Sequence, residues 1–342
     1  MIFDEQIARK PDLYPWTMAF IEAMWQSHWT PAEFTFESDL HDYKTRLTPQ
    51  EQQIIVRTLS AIGQIEIAVK TFWARLGDNL RHPSLVDLGL VMANIEVIHN
   101  IAYEKLLVVL GLSDAFEDNL KLDVINGRVK YLRKYTDKVY KDNKKQYVYA
   151  LILFTLFVEN VSLFSQFYVV LWFGRYKNVL KDTNNQVTYT KNEELIHARI
   201  GVQLINTIRK EYPELFDEDL ERRIIQESQE AFRSESKIID WILDGYTGER
   251  ISPDTLKAYV KTRIAESLDA IGFKVPDEYK ISEEAQRDIE WMQEEVLGSN
   301  MKDFFDGISV DYAKSNKSFN EGDLFEDGTN IQLVEREGEK VS

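Results

Sequence analysis

The chain contains no cysteine among its 342 residues. That absence excludes disulfides, thiolate metal sites, iron–sulfur clusters and a cysteine nucleophile. Glycine, with 15 residues, and proline, with 8, are both scarce, and strand-like alternation of apolar and polar residues is hard to find. Because helical periodicity recurs instead, the sequence predicts an all-α protein.

A basic surface and an N-terminal targeting segment are also lacking. The net charge at pH 7 is −16, which argues against nucleic-acid or anionic-membrane binding, because either would need a basic face. The N-terminus, MIFDEQIARKPDLYPW, has no basic stretch followed by an apolar run. No signal peptide is therefore predicted, and a cytoplasmic location is expected.

The helices can be placed from their starts and their apolar stripes. Thr48-Pro49-Gln50-Glu51 has the N-cap, first-turn proline and early acidic residue that are typical of a helix start. Further helices are predicted over 83–111, through Glu159, and over 185–209, 220–243, 252–271 and 282–297. From residue 313 the chain turns polar and acidic, which predicts one helical domain over 1–312 and a flexible tail over 313–342.

The longest apolar segment, residues 147–173, contains a single charged residue, Glu159. Its length would suffice to span a bilayer. A carboxylate at mid-membrane is costly, however, and a helix that is apolar all round is also what the centre of a large helical protein requires. A buried helix of a soluble protein is therefore favoured over a membrane span.

Four glutamates interrupt apolar helical stripes. Two of them begin Glu-x-x-His sequences, Glu96–His99 and Glu194–His197, and residues three apart lie on one face of a helix. The other two, Glu66 and Glu159, lie on apolar faces of two further predicted helices. Either motif alone is usually a surface or boundary feature, but the ordered set of four is specific.

Buried carboxylates without counterions would be prohibitively costly, which argues against a metal-free helical scaffold. Two divalent cations balance four carboxylates, and this pattern is that of ferritin-like di-iron and dimanganese bundles. Mixed carboxylate and imidazole ligation favours iron or manganese over calcium or a structural zinc. The predicted ligands are Glu66, Glu96, His99, Glu159, Glu194 and His197. A metal-storage protein, or an oxidase or hydroxylase with its own substrate, would share such ligands.

Beyond these ligands, the chain resembles, over nearly its whole length, the small subunit of a class I ribonucleotide reductase. The position of Tyr103, one turn after His99, is that of the family's radical tyrosine or its replacement. The segment His28-Trp29-Thr30-Pro31-Ala32-Glu33 resembles the one whose tryptophan begins the radical path, so the resemblance makes Trp29 a relay. The family usually links that tryptophan to the first metal histidine through an aspartate, where this chain has Glu193, one methylene longer.

The resemblance extends to the C-terminus and to a departure near the metals. Lys302-Asp303-Phe304-Phe305 followed by Tyr312 resembles the family's final motif, in which a mobile tyrosine passes the oxidation to the large subunit. The tail would then dock in a groove of that subunit. Lys70, one turn after Glu66, resembles the subgroup that uses a dimanganese cofactor, although a lysine there could equally cover apolar surface with its stem. Two manganese ions are expected, with two iron ions as the alternative.

The resemblance implies the small subunit of a ribonucleoside-diphosphate reductase, an oxidoreductase of deoxyribonucleotide synthesis. Its dinuclear centre would generate and store the oxidant that starts ribonucleotide reduction in the large catalytic subunit. The resemblance also implies a homodimer and a ferritin-like bundle with additional helices. The alternative function is a ferritin-like oxidase or hydroxylase, which would have no reason to keep Trp29, Tyr312 or the tail.

Overall fold

The computed structural model describes residues 1–128 and 143–297, apart from the side chains of 67–70 and 297. Within these ranges the chain is helical, with an isolated bridge between Gly248 and Ile251 and no strand. The α-helices are Trp16–Gln26, Glu37–Thr45, Pro49–Ala74, Leu76–Asn79, Pro83–Leu110, Ser113–Asn119, Lys144–Leu153, Phe164–Trp172, Lys181–Glu211, Glu218–Leu243, Pro253–Ala270 and Glu283–Leu297, with a further helical segment at 123–128. The π-helices are Phe154–Ser162 and Phe173–Lys177, and the 3₁₀ turns are Pro31–Glu33, Pro213–Leu215 and Asp277–Tyr279. The all-α prediction is confirmed.

The helix that contains Glu66, Pro49–Ala74, begins as its sequence predicts. Thr48 is its N-cap: the Thr48 hydroxyl accepts a bond from the Glu51 backbone N–H at 3.3 Å, and the Glu51 carboxylate accepts one from the Thr48 N–H at 2.9 Å. This reciprocal capping satisfies two backbone donors that the first turn of a helix leaves free. The cap fixes where the helix begins, and burial of its apolar face turns Glu66 inward.

The helix that contains Glu96 also ends where the sequence predicts. Pro83–Leu110 stops at Gly111, which adopts a left-handed conformation with φ of 72°. Glycine takes up that conformation without the steric cost that a side chain would add. Both Glu96 and His99 therefore lie near the middle of a continuous helix, where backbone hydrogen bonds hold them in place.

Among the described residues, two helical stretches are long and apolar enough to cross a membrane by length and composition, Lys144–Lys177 and Pro83–Leu110. In the first, 94% of the most apolar window is buried inside the protein; in the second the figure is 44%. Burial to that extent is what a core helix of a helical protein shows. The apolar run around Glu159 therefore occupies the interior of the described fold.

The sequence predicted a continuous helix through Glu159, and here the structure corrects it. Residues Phe154–Ser162 form a π-helix between the α-helices Lys144–Leu153 and Phe164–Trp172. A π-turn contains an additional residue per turn, and such turns occur frequently at functional sites. The residue types along the chain do not predict this π-helix, because side chains from distant parts of the sequence donate to its Asn160 and Ser162 carbonyls.

The helices that contain the four glutamates pack side by side. Pro49–Ala74 packs along Pro83–Leu110, and Lys181–Glu211 packs against the π-helix and against Phe164–Trp172. Gly201, one turn after His197, lies against the Thr155 side chain, where a β-carbon would collide. The glycine thus lets the Glu194 helix approach the π-helix closely, which brings the two sets of ligands together.

Candidate metal centre

The six predicted ligand side chains converge in the core of the bundle, each 1% exposed or less. They form two groups, and within each the ligand atoms lie within 4.8 Å of one another. The first position comprises Glu66, Glu96, His99 and Glu194, and the second comprises Glu96, Glu159, Glu194 and His197. Because Glu96 and Glu194 belong to both groups, the arrangement is that of two adjacent metal positions sharing two carboxylates.

Both histidines direct Nδ1 toward the carboxylates. His99 Nδ1 lies 3.2 Å from Glu194 Oε1 and 3.6 Å from Glu66 Oε2. His197 Nδ1 lies 2.9 Å from Glu96 Oε1 and 3.6 Å from Glu159 Oε2. A pair of ring nitrogens on opposite sides of the shared carboxylates gives each position one nitrogen ligand.

The ligand side chains have lone pairs that the protein leaves unused. Buried polar atoms in proteins are normally hydrogen-bonded, yet most of the ligand atoms have no partner of acceptable geometry. The atoms concerned are both carboxylate oxygens of Glu66, Glu96 and Glu194, Oε2 of Glu159, and Nδ1 of His99 and His197. All are lone-pair donors facing two common points, so two divalent cations fit the cluster.

Burial and crowding shift the pKa values within the cluster. Burial raises the pKa of Glu66 to about 8 and that of Glu159 well above its ordinary value. Burial also acts to raise the pKa of Glu194, but close polar contacts with Glu159 and His197 bring it below its usual range. Burial acts to lower the pKa of His197, but the close, negatively charged Glu159, Glu194 and Glu96 raise it well above its ordinary value. Protons therefore balance the carboxylates when cations do not, and metal binding must release them.

Glu193 joins the first metal position to a buried tryptophan. Its Oε2 accepts a hydrogen bond from Trp29 Nε1 at 2.9 Å and lies 2.7 Å from His99 Nε2. The rings of Trp29 and His99 lie 6.3 Å apart and nearly parallel, at 24°. The structure thus brings together the three residues that the family resemblance implied, and the longer glutamate reaches both partners with one oxygen.

Tyr103 lies one turn beyond His99 on the same helix and is 1% exposed. Its hydroxyl makes no hydrogen bond of acceptable geometry. Burial, and then the negative charge of Glu66, raises the pKa of this hydroxyl far above its ordinary value. The phenol is therefore held neutral, beside the first metal position and away from water.

Trp73 also contacts a ligand, and the sequence did not predict this role. Its Nε1 donates to Glu159 Oε1 at 2.9 Å, and its ring lies 6.3 Å from that of His197. It follows Glu66 by seven residues, two helical turns, so its position on the same inward stripe was visible in the sequence. An apolar stripe does not distinguish a tryptophan that fills the core from one that bonds a ligand.

Two predicted site residues lie outside the described part of the protein. The side chain of Lys70 is not described, although its helix is. Tyr312 and the tail over 313–342 also lie outside the described residues. Their roles stay predictions from the sequence.

The described fold and its cluster define the class: a ferritin-like helical protein with a dinuclear carboxylate–histidine site. Residues 7–284 match the family described as "Ribonucleotide reductase, small chain". The chain belongs to this family, and it is a subunit of an oxidoreductase.

Individual relatives agree with the family. The chain is 22% identical to a ribonucleoside-diphosphate reductase subunit beta of Halalkalibacterium halodurans, over 88% of this chain and 87% of the relative. A solved ribonucleotide reductase R2 subunit from Clostridium botulinum aligns with a TM-score of 0.75 at 18% identity, over 83% of this chain and 88% of that one. An R2-like ligand-binding oxidase with a Mn/Fe cofactor aligns with a TM-score of 0.66 at 17% identity, over 77% of this chain and 95% of that one. At these identities the solved structures show a shared fold.

Proposed function

We propose that this chain is the small subunit of a ribonucleoside-diphosphate reductase and that its dinuclear centre produces the oxidant used by a large catalytic subunit. The observation that supports this best is the continuous contact from the first metal position through Glu193 to Trp29. A metal centre that acted only on its own bound substrate would need no such connection. Family membership and the curated relatives' names agree with this function.

The proposed ligands are the six cluster residues, with Glu96 and Glu194 shared between the two ions. Two redox-active ions held there would supply a one-electron oxidant. We propose two manganese ions, with two iron ions as the alternative, because mixed carboxylate and imidazole ligation suits both metals. The resemblance of Lys70 to the dimanganese subgroup favours manganese.

Glu193 would act on the proton of the relay tryptophan. An indole that loses an electron becomes a strong acid, and its N–H already points at Glu193 Oε2 over 2.9 Å. The proton can therefore shift to that oxygen and return when the electron is replaced. The same oxygen, 2.7 Å from His99 Nε2, fixes the orientation of the ligand ring.

Tyr103 is proposed as the residue that stores the oxidising equivalent, unless the metal pair itself retains it. Its ring is enclosed in the bundle, where water and external reductants have no access. Replacing Tyr103 by phenylalanine separates the two cases without changing a ligand. A sharp organic radical signal lost in Tyr103→Phe would place storage on the tyrosine, whereas a metal-centred signal that survives would place it on the ions.

The transfer partner is proposed to be a large subunit that contributes the reactive cysteine, since this chain has none. Tyr312 would be the last residue of the relay in this chain, and residues 313–342 would dock on the partner. The test is deoxynucleotide formation from a ribonucleoside diphosphate by full-length and 1–312 chains, each metal-loaded and mixed with the cognate large subunit. Loss of activity only in the truncated chain, with unchanged metal content, is expected. Equal activity of both chains, or none in the full-length chain, would contradict the proposal.

An apolar surface supports a homodimer as the working form in the cytoplasm. Leu90, Val97, Ile101 and Val108 are 43–61% exposed on one helix, at the seven- and four-residue spacing that suits a paired helix. Trp25, 59% exposed, lies beside them at a cavity of about 280 Å³ that Leu90 also lines. Because exposed apolar residues grouped on one face mark an interaction site, and their spacing suits a paired helix, we propose a second copy of this chain as the occupant.

The oligomeric state tests this surface directly. Light scattering of the purified chain is expected to give twice the 40.0 kDa mass. Replacing Val97 and Ile101 by aspartate should give the monomer without loss of bound metal. A wild-type chain that is monomeric at micromolar concentration would contradict the proposed occupant.

A further inference from the structure

Arg128 is a fully buried arginine and the last described residue of the helical segment that begins at residue 123. Its Nε lies 3.0 Å from Glu235 Oε1 and its Nη2 lies 3.2 Å from Glu235 Oε2, which makes a bidentate ion pair. The same guanidinium donates to the Ala61 carbonyl at 3.0 Å, to Gln166 Oε1 at 2.9 Å and to the Ser162 carbonyl. A charge buried this deeply is tolerated because it is paired and its remaining donors are used.

The bond to Ser162 lies at the end of the π-helix Phe154–Ser162. In an uninterrupted α-helix the Ser162 carbonyl would accept from the Gln166 N–H, four residues on. Here that N–H donates to the Leu163 carbonyl at 3.1 Å instead. At the transition from π-helix to α-helix, the Ser162 carbonyl therefore loses the Gln166 N–H as its donor. The Arg128 side chain donates to this carbonyl instead.

A second arginine donates to another carbonyl of the same turn. Arg263, from the helix Pro253–Ala270, donates from Nε to the Asn160 carbonyl at 3.1 Å and from Nη2 to Asn160 Oδ1. Asn160 directly follows Glu159. The final turn of the π-helix is thus held by side chains from two different parts of the fold.

These contacts connect Arg128 to the single glutamates of both metal positions. Ser162 follows Glu159 by three residues, and Ala61 precedes Glu66 by five on a helix that runs through the first position. The Ala61 carbonyl belongs to a continuous α-helix, which holds its shape without Arg128. The Ser162 carbonyl, by contrast, lacks its α-helical donor because the Gln166 N–H bonds Leu163 instead, so we expect Glu159 to depend more on the arginine than Glu66 does.

We propose that Arg128, held in place by Glu235, is a positioning residue for the second metal position: it fixes the π-turn from which Glu159 reaches the cluster. This inference rests on the proposed metal centre and adds a distinct claim about how one of its two positions is built. Arg263 supports the same turn from the other side. Loss of Arg128 should therefore weaken the second position and spare the first.

The experiment removes the arginine without leaving a buried unpaired charge. Replacing Arg128 by methionine and Glu235 by leucine together fills the same volume with apolar side chains. Proteins often tolerate this replacement of a buried ion pair. Full-length wild-type and double-variant chains, both free of metal, are titrated with Mn²⁺ while free and bound ions are counted by electron paramagnetic resonance. The expected result is one site of wild-type affinity and a second weakened about tenfold to a hundredfold, the range for residues that orient a ligand. The thermal unfolding midpoint of the metal-free chain should stay near that of the wild type.

A matched control is available in Arg57, which like Arg128 donates to a backbone carbonyl. Its acceptor is Trp241, at 2.6 Å, on the helix Glu218–Leu243 and not on the π-helix. Arg57→Met should leave both affinities unchanged, and Arg128→Lys, with fewer donors, should give an intermediate loss. Two sites of wild-type affinity in the folded double variant would overturn the inference while leaving the proposed function intact. Equal weakening of both sites would overturn it as well, and a wild-type chain that binds no metal pair would refute the proposed function itself.

Discussion

The two metal positions have the same ligand types but different surroundings. At the first, His99 Nε2 contacts Glu193, which also holds Trp29. At the second, Nε2 of His197 has no hydrogen-bond partner in the described protein. Here it is the carboxylate of Glu159 that contacts a surrounding residue, because it accepts a hydrogen bond from Trp73. The first position is therefore connected to a buried tryptophan through its histidine, and the second through its glutamate. We therefore expect electrons to enter the centre through the first position, whereas the second position depends on how Glu159 is held.

The largest effect should come from a carboxylate that both positions share. Glu194→Ala should abolish stoichiometric binding of both ions, whereas Glu66→Ala should leave one ion bound. The reason is that Glu194 supplies oxygens to both groups and Glu66 to one. Elemental analysis after metal loading and desalting measures the count per chain. Two retained ions in Glu194→Ala would show that the shared-ligand arrangement is wrong.

The next effect separates the two tryptophans. Trp29→Phe should abolish partner-dependent reduction with metal binding unchanged, because only the indole can both relay an electron and donate to Glu193. Trp73→Phe should leave transfer intact and weaken the second ion about tenfold, as loss of a bond to a ligand carboxylate does. Steady-state activity and Mn²⁺ titration on each variant give the comparison. Similar behaviour of the two variants would remove the functional asymmetry between the positions.

A smaller effect is expected from Glu193 itself. Glu193→Gln keeps an acceptor for Trp29 but removes the charge that orients and polarises His99, so affinity at the first position should fall by about tenfold. Partner-dependent activity should fall by a larger factor than the metal affinity of the first position. The reason is that an amide is a much weaker proton acceptor than a carboxylate. Activity measured at saturating metal separates the two contributions. Unchanged activity there would rule out a proton role for Glu193.

The smallest effect concerns pH. The pKa of Glu66 is about 8 in the folded, metal-free chain and 4.5 ordinarily, so its proton is bound more tightly in the folded state. The stability that this proton adds is fully present below about pH 4.5 and is lost as the pH rises through about 8. The thermal unfolding midpoint of the metal-free chain should therefore decrease as the pH rises from 6 to 9. Over the same range, the increase in this midpoint that bound metal causes should become larger. Glu66→Gln should flatten the metal-free profile; a profile as steep as that of the wild type would assign the effect to other groups.

The ligand set could be predicted from the sequence because it depends on local geometry. Glu96–His99 and Glu194–His197 need only helical spacing to put two ligands on one face, and Glu66 and Glu159 stand out as charges on apolar stripes. Trp29 and Glu193 are 164 residues apart, and their contact was anticipated through the family resemblance alone. Their bond depends on packing between distant helices, which periodicity does not encode.

Two other features could not be predicted from local pattern. The π-helix around Glu159 depends on donors from Arg128 and Arg263, which are distant in the chain and have no recognisable spacing relative to it. Trp73 lies on an apolar stripe as any core tryptophan would. In both cases the deciding hydrogen bond is tertiary, so only the folded protein reveals which carbonyl or carboxylate lacks a partner.

We propose that this chain binds two ions close enough to share Glu96 and Glu194. Electron paramagnetic resonance of the chain loaded with two equivalents of Mn²⁺ tests it most directly, because ions bridged by carboxylates are magnetically coupled. The expected spectrum is the broad, temperature-dependent one of a coupled pair, replaced in Glu66→Ala by the six-line spectrum of an isolated ion. A wild-type spectrum of isolated ions only, or no bound manganese and no bound iron, would contradict it.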